Sequence, residues 1–407
     1  MMRLIRENYL KMIRPYYEAD LIKVITGVRR AGKSVILETI RDELSAAGII
    51  SDHIVYINLE DFDNEWIRTA ADLNKEIKAR IADKGRYYLF IDEIQHVDEF
   101  EKALASFRAT LNASIFVTGS NSQLLSGELA TLLTGRTVEF EILPFSFSEM
   151  EAYYHLMSLP FRDDLIYDYL KWGGFPLRFD FRVEADIQRY LSNLYTGILN
   201  HDILTKKSRI DRKIFMDIAM YVLSNAGKEF SAKSVMEYYE KKNHRSVSQR
   251  TVYNYIEKMQ KAFLVHSVQK YDIAGKTALQ SKQKYYAVDT GFRTIHTNTI
   301  NYEDTFFLEN IVYNELLFQG FTVFTGKTHK GEVDFTAVRN GKKCFIQVSY
   351  LMPSQSTIDR EFGAFAPITD ASPKYVLSLD KVDMSRNGIA HMNIVDFLLH
   401  RQFLALT

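Results

Sequence analysis

Between residues 21 and 142 the chain alternates short apolar runs with stretches whose apolar positions recur at helical spacing. Leu21 to Thr26, His53 to Leu59, Tyr87 to Ile91, Ser114 to Thr118 and Val138 to Leu143 are the short runs. Nearly continuous apolar runs of this length are the pattern of strands buried on both faces. With helical patterns between most of them, including Val35 to Leu44, they predict an α/β fold around a parallel sheet. From about Phe147 to Ile203 the period becomes helical, interrupted by Trp172-Gly173-Gly174-Phe175-Pro176, where paired Gly and Pro must break the helix. Residues 213 to 289 predict three helices and a hairpin. The helices are Lys213 to Ser224, Ala232 to Lys241 capped by Ser231, and Arg250 to Lys261 behind a Ser246/Gln249 capping box. The strand-like runs are Leu264 to Tyr271 and Lys284 to Val288. Beyond Phe292 a helix, Phe306 to Phe318, precedes the strand-like runs Thr322 to Phe324, Val333 to Val338, Lys343 to Val348 and Lys374 to Leu379. A further α/β domain is the simplest reading of that last stretch.

Composition narrows the class. At roughly 150 residues per domain, 407 residues predict two to four domains. With 46% hydrophobic and 25% charged residues the chain is an ordinary packed protein, which excludes disorder, collagen and rod-like coiled coils. The single cysteine, Cys344, cannot form an internal disulfide or, alone, a Cys-based zinc site, and a reducing compartment fits it. The apolar runs are strand-length and Met-Met-Arg-Leu-Ile-Arg lacks the apolar core of a signal peptide, so the expectation is a soluble cytoplasmic protein with no membrane partner. Lys+Arg 51 against Asp+Glu 51 gives zero net charge, yet residues 205 to 284 carry 17 basic against 7 acidic side chains, a net +10.

Chemistry first appears after the first predicted strand. Gly27-Val28-Arg29-Arg30-Ala31-Gly32-Lys33-Ser34 matches G-x-x-x-x-G-K-[ST] between a strand and a helix, the context a phosphate-binding loop requires. Its glycines let backbone N–H groups turn toward a β-phosphate, Lys33 neutralises β/γ charge, and the Ser34 hydroxyl suits Mg²⁺. Arg86-Tyr87-Tyr88-Leu89-Phe90-Ile91-Asp92-Glu93 carries an acidic pair to a strand's C-terminal end, where open α/β sheets bind ligands. Asp92 is the expected Mg²⁺ anchor and Glu93 the residue that polarises water. Ser120 or Asn121, after Thr118-Gly119, is placed to sense a γ-phosphate, the alternative being helix capping by Asn121 or Ser122. Arg136, in Thr134-Gly135-Arg136, can offer a guanidinium to a γ-phosphate in cis or across a subunit interface.

These motifs, with Leu89 to Gln95, Phe116 to Ser122, Leu133 to Arg136 and Leu143-Pro144-Phe145-Ser146-Phe147-Ser148-Glu149, resemble the AAA-type ATPases that carry a C-terminal domain of unknown function, DUF4143. The Gly173-Gly174-Phe175-Pro176 turn resembles that family too. The resemblance implies a P-loop ATPase using ATP and Mg²⁺, and Arg136 resembles the position often proposed as an arginine finger. The expected organisation is an AAA-type domain over 1–147, a helical lid or linker over 148–210, a winged helix-turn-helix over 211–292, and a degenerate nuclease-like domain over 293–407.

In the basic middle the third helix buries Val252, Tyr255, Ile256 and Met259. It exposes Gln249, Arg250, Asn254, Lys258 and Lys261, donors suited to phosphates and base edges, with Lys276, Lys282 and Lys284 in the following connection. This winged-helix pattern and its charge point to double-stranded DNA, with Arg250 and Asn254 as reading residues and Lys258 beside them, or to a protein partner. In the last domain Glu309, Glu332-Val333-Asp334 and Lys343 to Ser349 resemble the PD-(D/E)XK nuclease core, but Gln347 and Ser349 stand where that core has Glu and Lys, which argues against cleavage. His96 and His201 have no ligand-spaced partner, and Trp172 falls at core periodicity. The function these features support is hydrolysis of Mg-ATP coupled to repositioning of the C-terminal half on DNA or a protein partner, with a homo-oligomer required if Arg136 acts in trans. Two alternatives are a nucleotide-gated DNA-binding regulator with incidental turnover and an ATP-dependent nuclease.

Overall fold

A computed structural model describes residues 3–121, 133–204, 210–296, 305–402 and 404, without the side chains of 279–282. Ser122, a capping candidate, and the Lys282 side chain lie outside the described residues. The chain forms two compact units, one comprising Met1–Leu143 with Lys261–Phe263, the other Pro144–Gln260 and Leu264–Thr407.

In the first unit β1 (Ile22–Thr26), β2 (Ile54–Asn58), β3 (Tyr87–Asp92), β4 (Ala113–Thr118) and β5 (Thr137–Glu141) form a five-stranded sheet in the order β2-β3-β4-β1-β5. Each neighbouring pair is parallel. All five runs read from the apolar pattern are therefore strands. Their faces are covered by helices that include α2 (Lys33–Ala46), α3 (Ala70–Arg80) and α4 (Phe100–Thr110). Leu73, Ile77, Leu104 and Phe107 pack with Val24, Val55, Leu89, Ile91 and Ile115 in one apolar cluster. Burying such side chains contributes about 1.5–3 kcal/mol each and drives this layering. A short helix that the periodicity did not reveal, α1 (Glu7–Ile13), buries Tyr9, Leu10 and Ile13.

The second unit begins with α5 (Phe147–Leu156), α6 (Leu165–Trp172) and α7 (Glu184–Ile198). Ser146 and Glu149 form a reciprocal cap on α5. The break after Trp172 is set by Gly173, at φ 70°, where a Cβ would come 1.7 Å from an Asp289 oxygen. Asp289 accepts from the Gly174 and Gly291 N–H groups at 2.6 and 2.8 Å. Three helices follow: α8 (Arg212–Ser224), α9 (Ala232–Asn243) and α10 (Gln249–Lys261). The cap of α10 differs from the Ser246/Gln249 box expected. Ser248 takes the Thr251 N–H at 3.1 Å, because it stands directly before the first helical residue.

The hairpin β6 (Val265–Asp272) and β7 (Thr277–Ala287) does not stand alone. It continues into a seven-stranded sheet, β12-β11-β10-β9-β8-β6-β7, with β8 (Thr322–Lys327), β9 (Glu332–Arg339), β10 (Lys342–Val348), β11 (Lys374–Ser378) and β12 (Ala390–Asn393). The join is a parallel pairing of Lys270–Asp272 with Thr325–Lys327. Helices α11 (Thr290–Thr294) and α12 (Thr305–Phe318) connect the two parts, and α13 (Gln355–Gly363) lies between β10 and β11 in sequence. No helix among the described residues is long and apolar enough to cross a membrane.

Candidate functional site

The site is built at the C-terminal edge of the first sheet. β1 ends at Thr26 and the chain turns at Gly27, φ 132°, where a Cβ would lie 2.2 Å from the Ile142 carbonyl oxygen. Only glycine allows the loop to leave the strand this close to the backbone after β5. Gly32, at φ 100°, ends the loop and α2 starts at Lys33, so the free N–H groups of its first turn face the loop. Ala31 is buried, and its carbonyl accepts from the buried Arg6 guanidinium at 2.9 Å. Arg29 reaches Glu60 at 2.9 Å, and Arg30 takes a left-handed φ of 69°. Val28 is fully buried and anchors the loop's base.

Lys33 folds back into the loop. Its Nζ donates to the Gly27 and Val28 carbonyls at 3.2 and 3.3 Å and lies 3.7 Å from Glu93 Oε1. The Ser34 hydroxyl hydrogen-bonds Asp92. Asp92 Oδ2 also accepts from Tyr56 Oη at 3.2 Å, and its Oδ1 from Thr118 Oγ1. Thr118 in turn accepts the Glu93 N–H at 2.8 Å. Gln95 donates to Glu93 and lies 3.3 Å from Ser120 Oγ. The loop, the acidic pair and the Ser120 tip, three stretches far apart in sequence, thus meet in one crevice because β4 lies between β1 and β3.

The two acids are pushed in opposite directions. Burial lifts the Asp92 carboxyl, aided by the neighbouring Glu93 charge, against hydrogen bonds from Thr118, Ser34 and Tyr56. Burial also acts upward on Glu93, but Lys33, Gln95, Arg29 and His96 outweigh it and hold this carboxyl below its ordinary value. Glu93 sits at φ 56°, a left-handed conformation rare for a non-glycine residue, directly at the strand end. The donor set of one hydroxyl and carboxylate oxygens beside a buried ammonium fits a phosphate-bound Mg²⁺, a hard cation that takes oxygen ligands.

Arg136 is elsewhere. It is exposed, and its carbonyl accepts the Ile22 N–H at 2.9 Å, at the N-terminal edge of β1. At about 3.3 Å per residue the length of β1 separates it from the loop by roughly 16 Å, beyond the reach of its side chain. Of the two roles open to Arg136, in cis or across a subunit interface, the parallel pairing of β1 with β5 excludes the one in cis. Thr118, Tyr56, Gln95 and Arg6 join the site without having been picked out. Thr118 had one legible signal, a polar residue closing an otherwise apolar strand.

In the second unit Arg250 and Asn254 are exposed and Lys258 is half-buried on α10, opposite the buried Val252, Tyr255, Ile256 and Met259. Lys284, counted among the basic residues of the hairpin, is instead buried and paired with Glu332 at 2.7 Å. Glu309 and Asp334 are brought near it, with Gln347 beside Asp334.

A model of an AAA domain, AAA_14, matches residues 19–151, the stretch that holds the loop, both acids and all five strands. The first unit is an AAA-type P-loop ATPase domain. A model of a different domain of unknown function, DUF8612, matches residues 163–302, and the DUF4143 domain expected over 293–407 is not confirmed. An uncharacterized protein of Haemophilus influenzae is 35% identical over 402 residues, covering 97% of this chain and 98% of that one. Another of Methanocaldococcus jannaschii is 31% identical over 363 residues, covering 84% and 78%. The chain belongs to the family of these two proteins. Among solved structures a Walker-type ATPase of Pyrococcus abyssi is similar at TM-score 0.53 and 16% identity, covering 72% of this chain and 96% of that one, a likeness of fold.

Proposed function

We propose that the chain hydrolyses Mg-ATP to ADP and phosphate at the phosphate loop and couples nucleotide state to a DNA- or protein-binding C-terminal half. The observation that carries this reading is the convergence of Lys33 and Ser34 with Glu93 and Asp92, at 3.7 Å for the Lys33–Glu93 pair. Bound Mg²⁺ would neutralise charge on the β- and γ-phosphates. The N–H groups from Gly27 to Ser34 cradle phosphate oxygens, and Lys33 exchanges its two loop carbonyls for them. Ser34 and Asp92 hold the metal. Glu93, kept ionised by its cationic neighbours, accepts the proton of the attacking water, while Gln95 and Ser120 line the path to the γ-phosphate. Arg136 serves a second copy's site.

The four-part organisation belongs to the same proposal: an ATPase domain over 1–147, a helical linker over 148–210, a winged helix over 211–292 and a nuclease-like scaffold over 293–407. Support for the winged helix is the order of three helices and a hairpin, with Arg250 and Asn254 exposed on the third helix. ATP turnover measured with and without duplex DNA at two salt concentrations tests the whole. Lys33→Ala and Glu93→Gln should each abolish turnover, and unchanged turnover in Lys33→Ala refutes the chemistry. DNA stimulation that fades with salt supports a DNA partner, with Lys258→Ala lowering the salt slope by about one. Turnover indifferent to DNA favours a protein partner. Mixing Lys33→Ala with Arg136→Ala chains should restore part of the turnover that each lacks.

A further inference from the structure

The nuclease-like reading of the C-terminal sheet implies a divalent metal, and the residues do not fit one. Lys284, near the end of β7, points its ammonium into the carboxylates that such a metal would need. Its Nζ lies 2.7 Å from Glu332 Oε1 and 3.6 Å from Glu309 Oε2, and the Asp334 charge also acts on it. Lys270, on β6, takes the other oxygen of Glu332 at 3.1 Å and reaches Glu229 at 2.9 Å. Tyr286 Oη donates to Glu309 Oε2 at 3.3 Å, and the Val348 N–H donates to Asp334 Oδ2 at 2.8 Å. Gln347, at the position where a carboxylate would complete a metal site, spends both ends of its amide on protein. Its Oε1 accepts the Asp334 N–H at 3.3 Å and its Nε2 donates to Glu361 at 3.0 Å. With Lys284 in place, no three His, Cys, Asp or Glu side chains among the described residues form a group that could hold a metal ion.

We infer that the Lys284 ammonium is the resident cation of the Glu309, Glu332 and Asp334 cluster, standing where a nuclease would hold its metal, and that it makes this domain a metal-free scaffold tied to the hairpin. The physical case is one of compensation. Lys284, Glu309 and Asp334 are all buried, and buried carboxylates this close together cannot all stay ionised without a counter-charge. Burial drives the Glu309 carboxyl well up, and the neighbouring Asp334 adds to this while Lys284 opposes it. Burial likewise raises Asp334 to about 6 against the pull of Lys284. Burial alone would strip the proton from Lys284, but Glu309, Asp334 and Glu332 together hold it on. A lysine tethered on a strand needs no encounter to fill the site, and its charge repels any divalent ion that approaches. The same pairing joins β7 to α12 and β9, so the hairpin is fixed to the sheet it enters.

The test uses the full chain with Tb³⁺ as the probe and tyrosine-sensitised luminescence as the readout, Tyr286 lying beside Glu309. Tb³⁺ bound at the phosphate loop is common to all variants, so the outcome does not depend on the ATPase reading. Wild type and Asp334→Asn should bind the same number of ions. Lys284→Ala should bind one more, and Lys284→Ala with Asp334→Asn should lose it again. Wild type that loses an ion on Asp334→Asn overturns the inference, as does a folded Lys284→Ala chain that gains none. Should Lys284→Ala fail to fold, the comparison of wild type with Asp334→Asn decides alone, with Lys284→Arg, which keeps the charge, expected to match wild type.

Discussion

Replacing Lys33 by Met tests the resting geometry of the phosphate loop apart from catalysis. The Lys33 and Glu93 side chains are 3% and 9% exposed and lie 3.7 Å apart. At an effective dielectric of about 20 their gross attraction is about 4 kcal/mol. Desolvation of both groups offsets part of this. Lys33→Met leaves Glu93 ionised without its main cationic partner and removes the donor from the Gly27 and Val28 carbonyls, and should cost about 3–5 kcal/mol. Glu93→Gln leaves the ammonium its two carbonyls and should cost less. The double variant lacks the orphaned charge, so it should be more stable than Lys33→Met alone, with a coupling of about 2 kcal/mol. Urea unfolding of the first unit can be followed by Trp66 in a Trp172→Phe background, since the chain has 2 tryptophans. Strictly additive losses, or a double variant less stable than Lys33→Met, would refute the reasoning.

Lys23, wholly buried on β1, donates to Ser114 Oγ at 2.8 Å, and burial, with the Arg86 charge, pulls its ammonium down to about 7. Between that value and the ordinary lysine value the unfolded chain holds more protons than the folded one. Stability of the first unit should therefore rise with pH through this window, by up to about 5 kcal/mol, and Lys23→Met should flatten the rise; a wild-type profile that falls there contradicts it. Thr118→Val removes both the acceptor for the Glu93 N–H and a donor to Asp92, and ATP turnover should drop about 10–100-fold while the fold persists. Turnover within twofold of wild type would remove Thr118 from the site. Gly173→Ala drives a methyl into the buried Asp289 carboxylate at a left-handed φ, and should destabilise the second unit by about 3 kcal/mol or more in thermal unfolding, where an unchanged midpoint would refute the clash.

The first sheet was legible in the sequence because parallel strands buried on both faces leave nearly continuous apolar runs, and all five runs emerged within a residue or two. What the pattern does not carry is which strands are neighbours. In sequence β2 lies between the phosphate loop and the acidic pair; in space it is β4, and only that order brings Thr118 and Ser120 into the crevice. Periodicity reports burial, not the identity of the neighbour. For the same reason the parallel pairing of Lys270–Asp272 with Thr325–Lys327 was invisible, and with it the continuity of the hairpin with the last sheet. Charge counting failed at Lys284 in a related way. A lysine in a basic stretch reads as surface, and only the fold shows three carboxylates from α12 and β9 converging on it.

Parallel topology also decides what a lone arginine can do. In a parallel sheet every strand ends on the same edge, so the phosphate loop, Asp92, Glu93 and Ser120 share an edge by construction. Any residue that opens a strand is, by the same rule, at the other edge. Arg136 opens β5, beside Ile22 at the start of β1, so no rotamer brings it to its own chain's loop. Its exposure leaves it available to another chain. A contact of that kind places the start of β5 from one copy against the loop edge of another, whether the copies close as a reciprocal pair, a ring or a filament. The proposed arginine finger and the proposed assembly are therefore one hypothesis. Partial recovery of turnover on mixing Lys33→Ala with Arg136→Ala chains would support both together, and its absence would leave Arg136 as a surface residue and the ATPase site complete within one chain.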